Sequence, residues 1–326
     1  MHTVSFIEPS SILEVSRALA SPDATAIAGG SDLLDELKEG TAAYTRLVSL
    51  GGLEGLRSIE PSEGGMRLGA LVTISELETS AQLIGPYAIL AEAARGVATP
   101  ELRNQGTLGG NLCQRPRCYF YRNALTPCLK KGDSPACPAV ESPFQNYLSI
   151  FGGSGCYATH ASDLAPPLIA LGARIVIEGA SGSREVPAEA FFAGPGVDAR
   201  RENVLAAGEV VTHVILPRMP DAWRGAYSKA RERTAGDFAI ASAAIGYEFA
   251  HGRMQRVRIV LGGVAPVPLR RPHIEALLEG QAPSEALAER AAEAILQDAR
   301  PLSHNGFKLD LTRTLVSRGV MRLASV

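Results

Sequence analysis

The chain has 326 residues, 46% of them hydrophobic and 20% charged, and this length predicts two or three subdomains, each with its own apolar core. A formal net charge of -2 excludes a general attraction to nucleic acid or anionic membranes, which needs a concentrated excess of lysine and arginine. The first residues lack the basic and apolar regions of a signal peptide, and no segment approaches the roughly 20 apolar residues that span a bilayer. We therefore expect a globular chain that carries neither a secretion signal nor a membrane anchor.

The N-terminal residues predict a βαβ unit. A short apolar strand is followed by a helix to about Ser21 and by a strand over residues 24–28. Ser31 is then a good N-cap for a helix that stops at Gly40, and residues 46–50 supply the next strand.

The first glycine turn, Gly29-Gly30, lies between that strand and that helix, and this arrangement can bind a phosphate. Bare glycine backbone lets a phosphate approach closely, and the free N–H groups at the start of a helix offer it hydrogen bonds. Taken alone, the same residues favour a simple tight turn and a cap. No G-x-G-x-x-G follows a strand and no G-x-x-x-x-G-K-[ST] occurs, so the pattern favours neither a Rossmann site nor a P-loop.

A second glycine-rich loop, residues 106–111, is predicted in the middle of the chain. In it Thr107 and Asn111 are polar residues that could close over a nucleotide held by the first glycine turn. The other elements predicted around this loop are two helices and three strands, over residues 74–83 and 87–97, then 66–71, 168–178 and 210–216.

The final third predicts a separate α+β domain after a boundary near Pro217. Its predicted elements are two strands and three helices, over residues 239–249 and 256–261, then 273–278, 284–299 and 310–323. We find no internal repeat.

All five cysteines lie between Cys113 and Cys156, and their odd number in a chain of this length favours thiolate metal ligands over disulfides. From the second cysteine onward the spacing is C-x9-C-x8-C-x18-C, which matches neither the C-x2-C knuckles of structural zinc sites nor a ferredoxin run. Four thiolates suit a [4Fe-4S] cluster, whose negative charge the basic residues of the loop would offset, and zinc stays the alternative on spacing alone. The expected ligands are Cys118, Cys128, Cys137 and Cys156.

Two residues beside this run have two interpretations each. Cys113 directly follows the glycine-rich loop and could touch a cofactor, or it could be a small buried hydrophobic residue. His160 could ligate iron or lie near a flavin, but four cysteines already complete a cluster, and a packed or exposed histidine is the other reading.

Three motifs occur together in this chain: AGGSDLL over residues 28–34, TLGGNL over 107–112 and SDLAP over 162–166. Together they resemble the FAD-binding subunit of the xanthine oxidase family of molybdenum hydroxylases, and the resemblance covers nearly the whole chain. The cysteines between the second and third motifs look like the subgroup whose flavin subunit carries an extra [4Fe-4S] cluster, namely periplasmic-type aldehyde oxidoreductases and 4-hydroxybenzoyl-CoA reductase. The x18 gap and the residues around Cys118 favour the aldehyde branch.

The resemblance implies an α+β fold in two parts. A two-subdomain FAD-binding domain of the vanillyl-alcohol-oxidase/PCMH type would cover residues 1–218, and a small C-terminal α+β domain like that of CO dehydrogenase flavoproteins would cover 219–326. The first domain would divide at about residue 55 into subdomains 1–55 and 56–218, with the [4Fe-4S] loop at 113–156.

The resemblance also implies the FAD contacts. The first motif would hold the diphosphate through Ala28, Gly29, Gly30, Ser31, Asp32, Leu33 and Leu34. A second wall would consist of Thr107, Gly109, Gly110 and Asn111. Asp163 would contact the ribityl or adenosine part, Val211 would give a backbone contact, and Lys229 would lie near the flavin and stabilise its reduced, anionic form.

The family's hydroxylation chemistry takes place at a molybdenum cofactor on a separate large subunit, and two [2Fe-2S] clusters lie on a separate small one. The chain would join both in a heterotrimer, pass their electrons to FAD and then to an external acceptor, and contribute no catalytic residue to aldehyde oxidation. Because cofactors are inserted before or during folding, we expect a cytoplasmic chain, or a periplasmic one if the folded complex is exported on a partner's twin-arginine signal.

Other functions stay open. Within the family, the chain could serve a 4-hydroxybenzoyl-CoA reductase-like enzyme or a dehydrogenase of xanthine or N-heterocycles. Outside it, a stand-alone flavin oxidase would be active without partners, and a zinc-stabilised scaffold would be colourless.

Overall fold

The computed structural model describes residues 3–234 and 236–324, so the outer ends of the two predicted domains, residues 1 and 326, lie outside the described residues. The first subdomain is a parallel sheet of three strands in the order β1-β3-β2 with two helices. Its elements are β1 (Ser5–Ile7), α1 (Ile12–Leu19), β2 (Ala24–Ile27), α2 (Leu33–Glu39) and β3 (Arg46–Ser49). The predicted βαβ unit is confirmed.

Helix α2 begins one residue later than predicted. Its N-cap is Asp32 rather than Ser31, and the Asp32 side chain makes no capping hydrogen bond because its carboxylate binds residues far along the chain. The helix ends at Gly40 as predicted, where the N–H of Gly40 donates to the carbonyls of Glu36 and Leu37.

The second subdomain is built on an antiparallel sheet of five strands in the order β4-β5-β8-β6-β7. A large apolar core packs helices against this sheet. Its elements are β4 (Ile59–Ser62), β5 (Gly65–Gly69), α3 (Ile74–Thr79), α4 (Ala88–Arg95), α5 (Pro100–Gln105), α6 (Leu108–Cys113), α7 (Ala165–Ala170), β6 (Arg174–Gly179), β7 (Gly182–Pro187), α8 (Ala188–Phe191) and β8 (Val210–Pro217).

Two predictions for this subdomain were wrong. The second glycine-rich loop is in fact the start of helix α6, because the Thr107 hydroxyl accepts a hydrogen bond from the N–H of Gly110 and caps the helix. The strand predicted over residues 168–178 is a buried helix followed by a strand. Pro166 and Pro167 lie in the first turn of α7, where backbone N–H groups have no partner within the helix, so proline is tolerated there. Strand β6 begins only at Arg174.

The cysteine segment, residues 114–164, connects α6 to α7. This stretch is described in full, and its only regular element is a 3-10 helix at Pro138–Glu141, with an isolated bridge between Leu148 and Ala158. It has a small core of its own. It is held to the rest of the chain by side-chain contacts and by backbone hydrogen bonds that Ile150, Phe151 and His160 donate to Val264 and Ala265.

The C-terminal part is an antiparallel sheet of four strands in the order β12-β11-β10-β9, with helices packed against it over a separate core. Its elements are β9 (Trp223–Ala230), β10 (Ala241–Ala250), β11 (Arg253–Gly262), β12 (Leu269–Arg270), α9 (Pro272–Leu278), α10 (Glu285–Ala294) and α11 (Lys308–Ala324). Strand β9 was missed from the sequence. Across residues 3–234 and 236–324, no helix combines the length and the apolar character that crossing a bilayer requires.

Candidate cofactor site

A cavity of about 640 Å³, here called the central cavity, lies among the first subdomain, the second subdomain and the loop after β9. Its volume is within the range of small-molecule and cofactor sites. Every residue that the sequence predicts to contact FAD lines this cavity, with the exceptions of Leu34 and Lys229. The structure therefore brings the three sequence motifs together around one space.

The first glycine turn presents bare backbone to the central cavity. A Cβ atom at Gly29 would lie 1.8 Å from the carbonyl oxygen of Gln105, so no side chain fits there. Gly30 has a φ of +70°, and a Cβ there would lie 3.0 Å from Cδ1 of Leu34. Leu34 packs beneath the turn, which explains why it does not line the cavity.

The second and third motifs are bonded to each other. The Ser162 hydroxyl donates to Oδ1 of Asn111 at 2.5 Å and accepts from the N–H of Ala165 at 3.1 Å. Helix α6 also packs closely on the chain after β5, since a Cβ at Gly109 would lie 2.9 Å from that of Ala70. The polar groups of Thr107 and Asn111 thus form hydrogen bonds within the cavity wall itself.

Asp163 is a buried carboxylate whose position is fixed by strand β9. Lys229 Nζ lies 2.7 Å from Oδ2 of Asp163, and the Tyr227 hydroxyl donates to Oδ1 at 2.5 Å. Burial and the neighbouring carboxylate raise the pKa of Tyr227 well above its usual value, so the phenol stays a hydrogen-bond donor. Lys229 also donates to the carbonyl of Gly96 at 2.9 Å and does not itself line the cavity, and its place near the flavin, which the resemblance implies, stays a prediction.

The carboxylate of Asp32 is bound by the cysteine segment. Its Oδ1 lies 2.7 Å from Arg117 Nη2 and 2.6 Å from Arg122 Nη2, and its Oδ2 accepts from the backbone N–H of Arg115 at 2.8 Å. An unpaired carboxylate at this position would repel a diphosphate, and the two guanidinium groups offset its charge. Arg115 and Arg117 also line the central cavity and add positive charge to its wall.

The structure gathers the four predicted metal ligands into one place. Cys118, Cys128 and Cys156 are buried, Cys137 is half-buried, and all four are free thiols in the small core of the cysteine segment, here called the cysteine core. Burial raises the pKa of Cys118 to about 11. In the described part of the chain, no three or more His, Cys, Asp or Glu side chains are arranged so that they could hold a metal ion.

Cys113 lies apart from the cysteine core. It is half-buried, packs against the large core of the second subdomain and lines the central cavity. Burial raises the pKa of its thiol to about 12, so it is a neutral group at physiological pH.

The basic residues of the cysteine segment already have partners. Arg117 and Arg122 bind Asp32, while Arg115 and Lys130 both pair with the buried carboxylate of Glu202. These four cations are thus tied to carboxylates of the neighbouring structure, whereas Lys131 is bonded within the cysteine segment itself, to Asp133 and to the carbonyls of Asn123 and Thr126.

His160 is packed between the cysteine core and the central cavity. Its Nδ1 accepts from the N–H of Ser162 at 3.3 Å, its ring meets Phe192 edge to face at 4.6 Å, and its Nε2 has no hydrogen-bond partner. Burial lowers the pKa of His160 to about 4, which keeps the imidazole neutral. The structure favours the packed interpretation of this residue.

Two parts of the site could not be predicted from the sequence. The loop after β9 contributes Asp237 and Phe238 to the cavity wall, and the Phe238 ring lies 4.5 Å from the guanidinium carbon of Arg117. Glu36 of helix α2 accepts from the Tyr121 hydroxyl at 2.5 Å across 85 residues of sequence. Neither pair forms a motif that spacing could reveal.

The fold and the cavity of bare glycine backbone define a flavoprotein. Residues 2–219 match the family described as the FAD binding domain in molybdopterin dehydrogenase, and residues 225–323 match the CO dehydrogenase flavoprotein C-terminal domain. The aldehyde oxidoreductase FAD-binding subunit PaoB of Escherichia coli (strain K12) is 35% identical over 300 residues, which are 91% of this chain and 90% of that protein. The chain belongs to the family of FAD-binding medium subunits of xanthine oxidase-type molybdenum hydroxylases, and it is an oxidoreductase subunit that binds FAD.

Two solved structures have the same fold over almost the whole chain. Carbon monoxide dehydrogenase from Hydrogenophaga pseudoflava and quinoline 2-oxidoreductase from Pseudomonas putida 86 each match with a TM-score of 0.78 and 26% identity, covering 99% of this chain and 98% of theirs. The overall architecture expected from the sequence, a FAD-binding domain followed by a small C-terminal domain of the CO dehydrogenase flavoprotein type, is confirmed.

Proposed function

We propose that the chain is the FAD and [4Fe-4S] electron-transfer subunit of a molybdenum-dependent aldehyde oxidoreductase. It receives electrons from [2Fe-2S] clusters on a small partner and passes them through FAD to an external acceptor, while the aldehyde is oxidised at a molybdenum cofactor on a large partner. The observation that carries this proposal is a flavin cavity lined by Arg115 and Arg117 of the cysteine segment, whose small core holds four free cysteines, three of them buried. The 35% identity with an aldehyde oxidoreductase subunit favours the aldehyde branch over the xanthine, heterocycle and 4-hydroxybenzoyl-CoA branches.

The residues of the central cavity fit FAD. The bare backbone at Gly29 and Gly30 gives the diphosphate a close approach, and Arg115 and Arg117 provide positive charge in the same wall. A carboxylate accepts about four hydrogen bonds, so Asp163, held by Tyr227 and Lys229, keeps acceptor positions for ribityl or ribose hydroxyls. When bound, FAD supplies the isoalloxazine ring that accepts and releases electrons.

The cysteine core fits a [4Fe-4S] cluster. Its four thiols are free, and three of them are buried in one small core. In a cubane each cysteine binds a different iron, and the four ligands therefore stand farther apart than the ligands of one ion. Basic side chains border the segment on the side of Asp32 and Glu202, where they offset negative charge.

The location of the complex is a further part of this proposal. A chain that acquires FAD and a cluster during folding stays in the cytoplasm when it is expressed alone. A periplasmic complex is exported folded, on the twin-arginine signal of a partner.

Metal and flavin analysis of the anaerobically purified chain tests the cofactors. We expect about four irons and one FAD per chain, because a cubane uses one thiolate per iron. Cys128→Ser should remove the iron, whereas Cys113→Ser, a matched change outside the cysteine core, should retain it. Zinc in place of iron would support the scaffold instead, and iron retained in Cys128→Ser would refute the ligand assignment.

Stopped-flow reduction tests the electron path. The chain alone should not be reduced by aldehyde, and with a molybdenum subunit and a [2Fe-2S] subunit the aldehyde should bleach its FAD. Removing FAD from the complex should block the external acceptor but leave reduction of the [2Fe-2S] clusters intact. Aldehyde that reduces the flavin of the isolated chain would show a stand-alone oxidase, and clusters that stay oxidised in the FAD-free complex would place the flavin upstream of them.

A further inference from the structure

Three contacts join the first glycine turn to the start of the cysteine segment, and all three use the carboxylate of Asp32. Its partners are the backbone N–H of Arg115 at 2.8 Å and the guanidinium groups of Arg117 and Arg122 at 2.7 and 2.6 Å. Asp32 lies two residues after the first glycine turn, and Arg117 directly precedes Cys118. One side chain thus lies between the residues that form the two cofactor sites.

The bound part of the segment is also part of the cavity wall. Gln114, Arg115 and Arg117 line the central cavity, and the Arg117 guanidinium lies over the ring of Phe238, which lines it as well. A displacement of this part of the segment would therefore open the cavity. The side chains of Asp32 and Arg122 are each less than one-fifth exposed. Solvent therefore screens the ion pair between them only weakly.

A second contact strengthens the first. The Tyr121 hydroxyl donates to Oε1 of Glu36 at 2.5 Å and accepts from Nε of Arg115 at 2.7 Å. Glu36 lies on helix α2, one turn after Asp32, and it also lines the central cavity. Helix α2 is consequently held by the cysteine segment at two successive turns.

The cysteine segment has little structure of its own to keep these residues in place. Between Gln114 and Cys137, a stretch that is described in full, it has neither a helix nor a strand. Its conformation depends on the cysteine core on one side and on the contacts to Asp32 and Glu36 on the other.

We propose that Asp32 is a positioning residue that couples the two cofactor sites, so that tight binding of FAD requires a loaded cysteine core. This inference rests on the [4Fe-4S] assignment proposed above. A loaded core holds Arg115, Arg117 and Arg122 where Asp32 binds them, and Asp32 in turn closes the cavity wall. Without the cluster the wall loosens and FAD is held less tightly. The coupling is a free energy shared by two sites, so it is measured as the difference in FAD affinity between the loaded and the unloaded core.

The experiment measures the dissociation constant of FAD for the full chain by quenching of flavin fluorescence. Two forms are stripped of FAD and compared, the iron-replete wild type and iron-free Cys128→Ser. We expect FAD to bind the iron-replete form about tenfold more tightly, within the usual range of coupling between two sites. In the Asp32→Asn background the two forms should have the same, weaker affinity. Glu39→Gln, the matched loss of a charge at an exposed residue of α2 that does not line the central cavity, should keep the tenfold difference.

Each outcome decides the inference. Equal affinities of the two forms with Asp32 intact would overturn it, as would a tenfold difference that survives Asp32→Asn. Circular dichroism checks folding, and if Asp32→Asn does not fold, Arg122→Gln breaks the same ion pair from the other side and should abolish the difference. A wild type without iron would defeat the cluster assignment and this inference with it, whereas iron and FAD that bind independently would defeat the inference alone.

Discussion

Lys229 Nζ lies 2.7 Å from Oδ2 of Asp163, and this ion pair joins strand β9 of the C-terminal sheet to the wall of the central cavity. Both side chains are at least nine-tenths buried. Because Lys229 is tied to Asp163 and to the carbonyl of Gly96, its role is to hold the carboxylate that faces the cavity. A direct effect on the reduced flavin, which the family resemblance suggested, is not needed to explain its position.

Lys229→Met should destabilise the chain by about 3–5 kcal/mol, because it leaves the Asp163 carboxylate buried without its cation. Urea unfolding monitored by tryptophan fluorescence measures the loss, since Trp223 is buried on the same strand. The double variant Lys229→Met/Asp163→Asn should recover part of the stability, because no unpaired charge remains. A Lys229→Met chain as stable as the wild type would show that the pair is not formed in solution.

Gly29→Ala should abolish retention of FAD, because its Cβ would lie 1.8 Å from the carbonyl oxygen of Gln105 and force the first glycine turn away from α5. FAD per chain after gel filtration measures the effect. Gly64→Ala is the matched control, since a Cβ there has no heavy atom within 4 Å. Equal FAD content in Gly29→Ala and Gly64→Ala would mean that the turn does not hold the cofactor.

The free energy of unfolding should rise with pH between about 7 and 10.5 because of Lys308. This side chain is fully buried, and burial lowers its pKa from 10.5 to about 7. In that interval the unfolded chain holds a proton that the folded chain has released, so stability increases by up to about 1.4 kcal/mol per pH unit. Below pH 7 both states are protonated and this contribution no longer changes.

Lys308→Met is the variant that isolates this contribution. It should remove two hydrogen bonds, from Nζ to the carbonyls of Leu148 and Gly263 at 2.7 Å each, and should flatten the rise in stability above pH 7. Urea midpoints measured at pH 7, 8 and 9 compare the two chains. An equally steep rise in Lys308→Met would assign the effect to another group.

Cys113 should react with iodoacetamide roughly a thousandfold more slowly than an ordinary free cysteine at pH 8, because its pKa is raised to about 12 and only the thiolate attacks. Mass spectrometry of the alkylated peptide measures the rate in the folded chain. The same peptide in urea should react at the ordinary rate. Fast alkylation in the folded chain would show that the thiol is exposed to solvent.

The sequence alone was sufficient for the features that depend on neighbouring residues. The pattern around Gly29-Gly30 predicted the βαβ unit, and the turn lines the central cavity. The domain boundaries stay predictions. The individual FAD contacts and the cluster ligands also stay predictions, because only binding experiments can reveal them.

The features that the sequence could not predict depend on contacts between distant residues. The spacing around Lys229 gives no sign that it pairs with Asp163, 66 residues earlier, and the charge of Asp32 gives no sign of Arg122, 90 residues later. The apolar run after Pro167 predicts a strand, because a buried helix of six residues has no polar face and so shows no helical periodicity.

The hydrogen bond between Ser162 and Asn111 has a consequence for how such a subunit can change over time. It ties together two points that are 51 residues apart, so the inserted segment leaves and re-enters the subdomain at one place. The entropy cost of closing a loop rises only with the logarithm of its length, and doubling the loop costs only about 0.6 kcal/mol. An ancestral chain could therefore lengthen the cysteine segment stepwise, and acquire cysteines within it, while the stability of the second subdomain stayed almost unchanged.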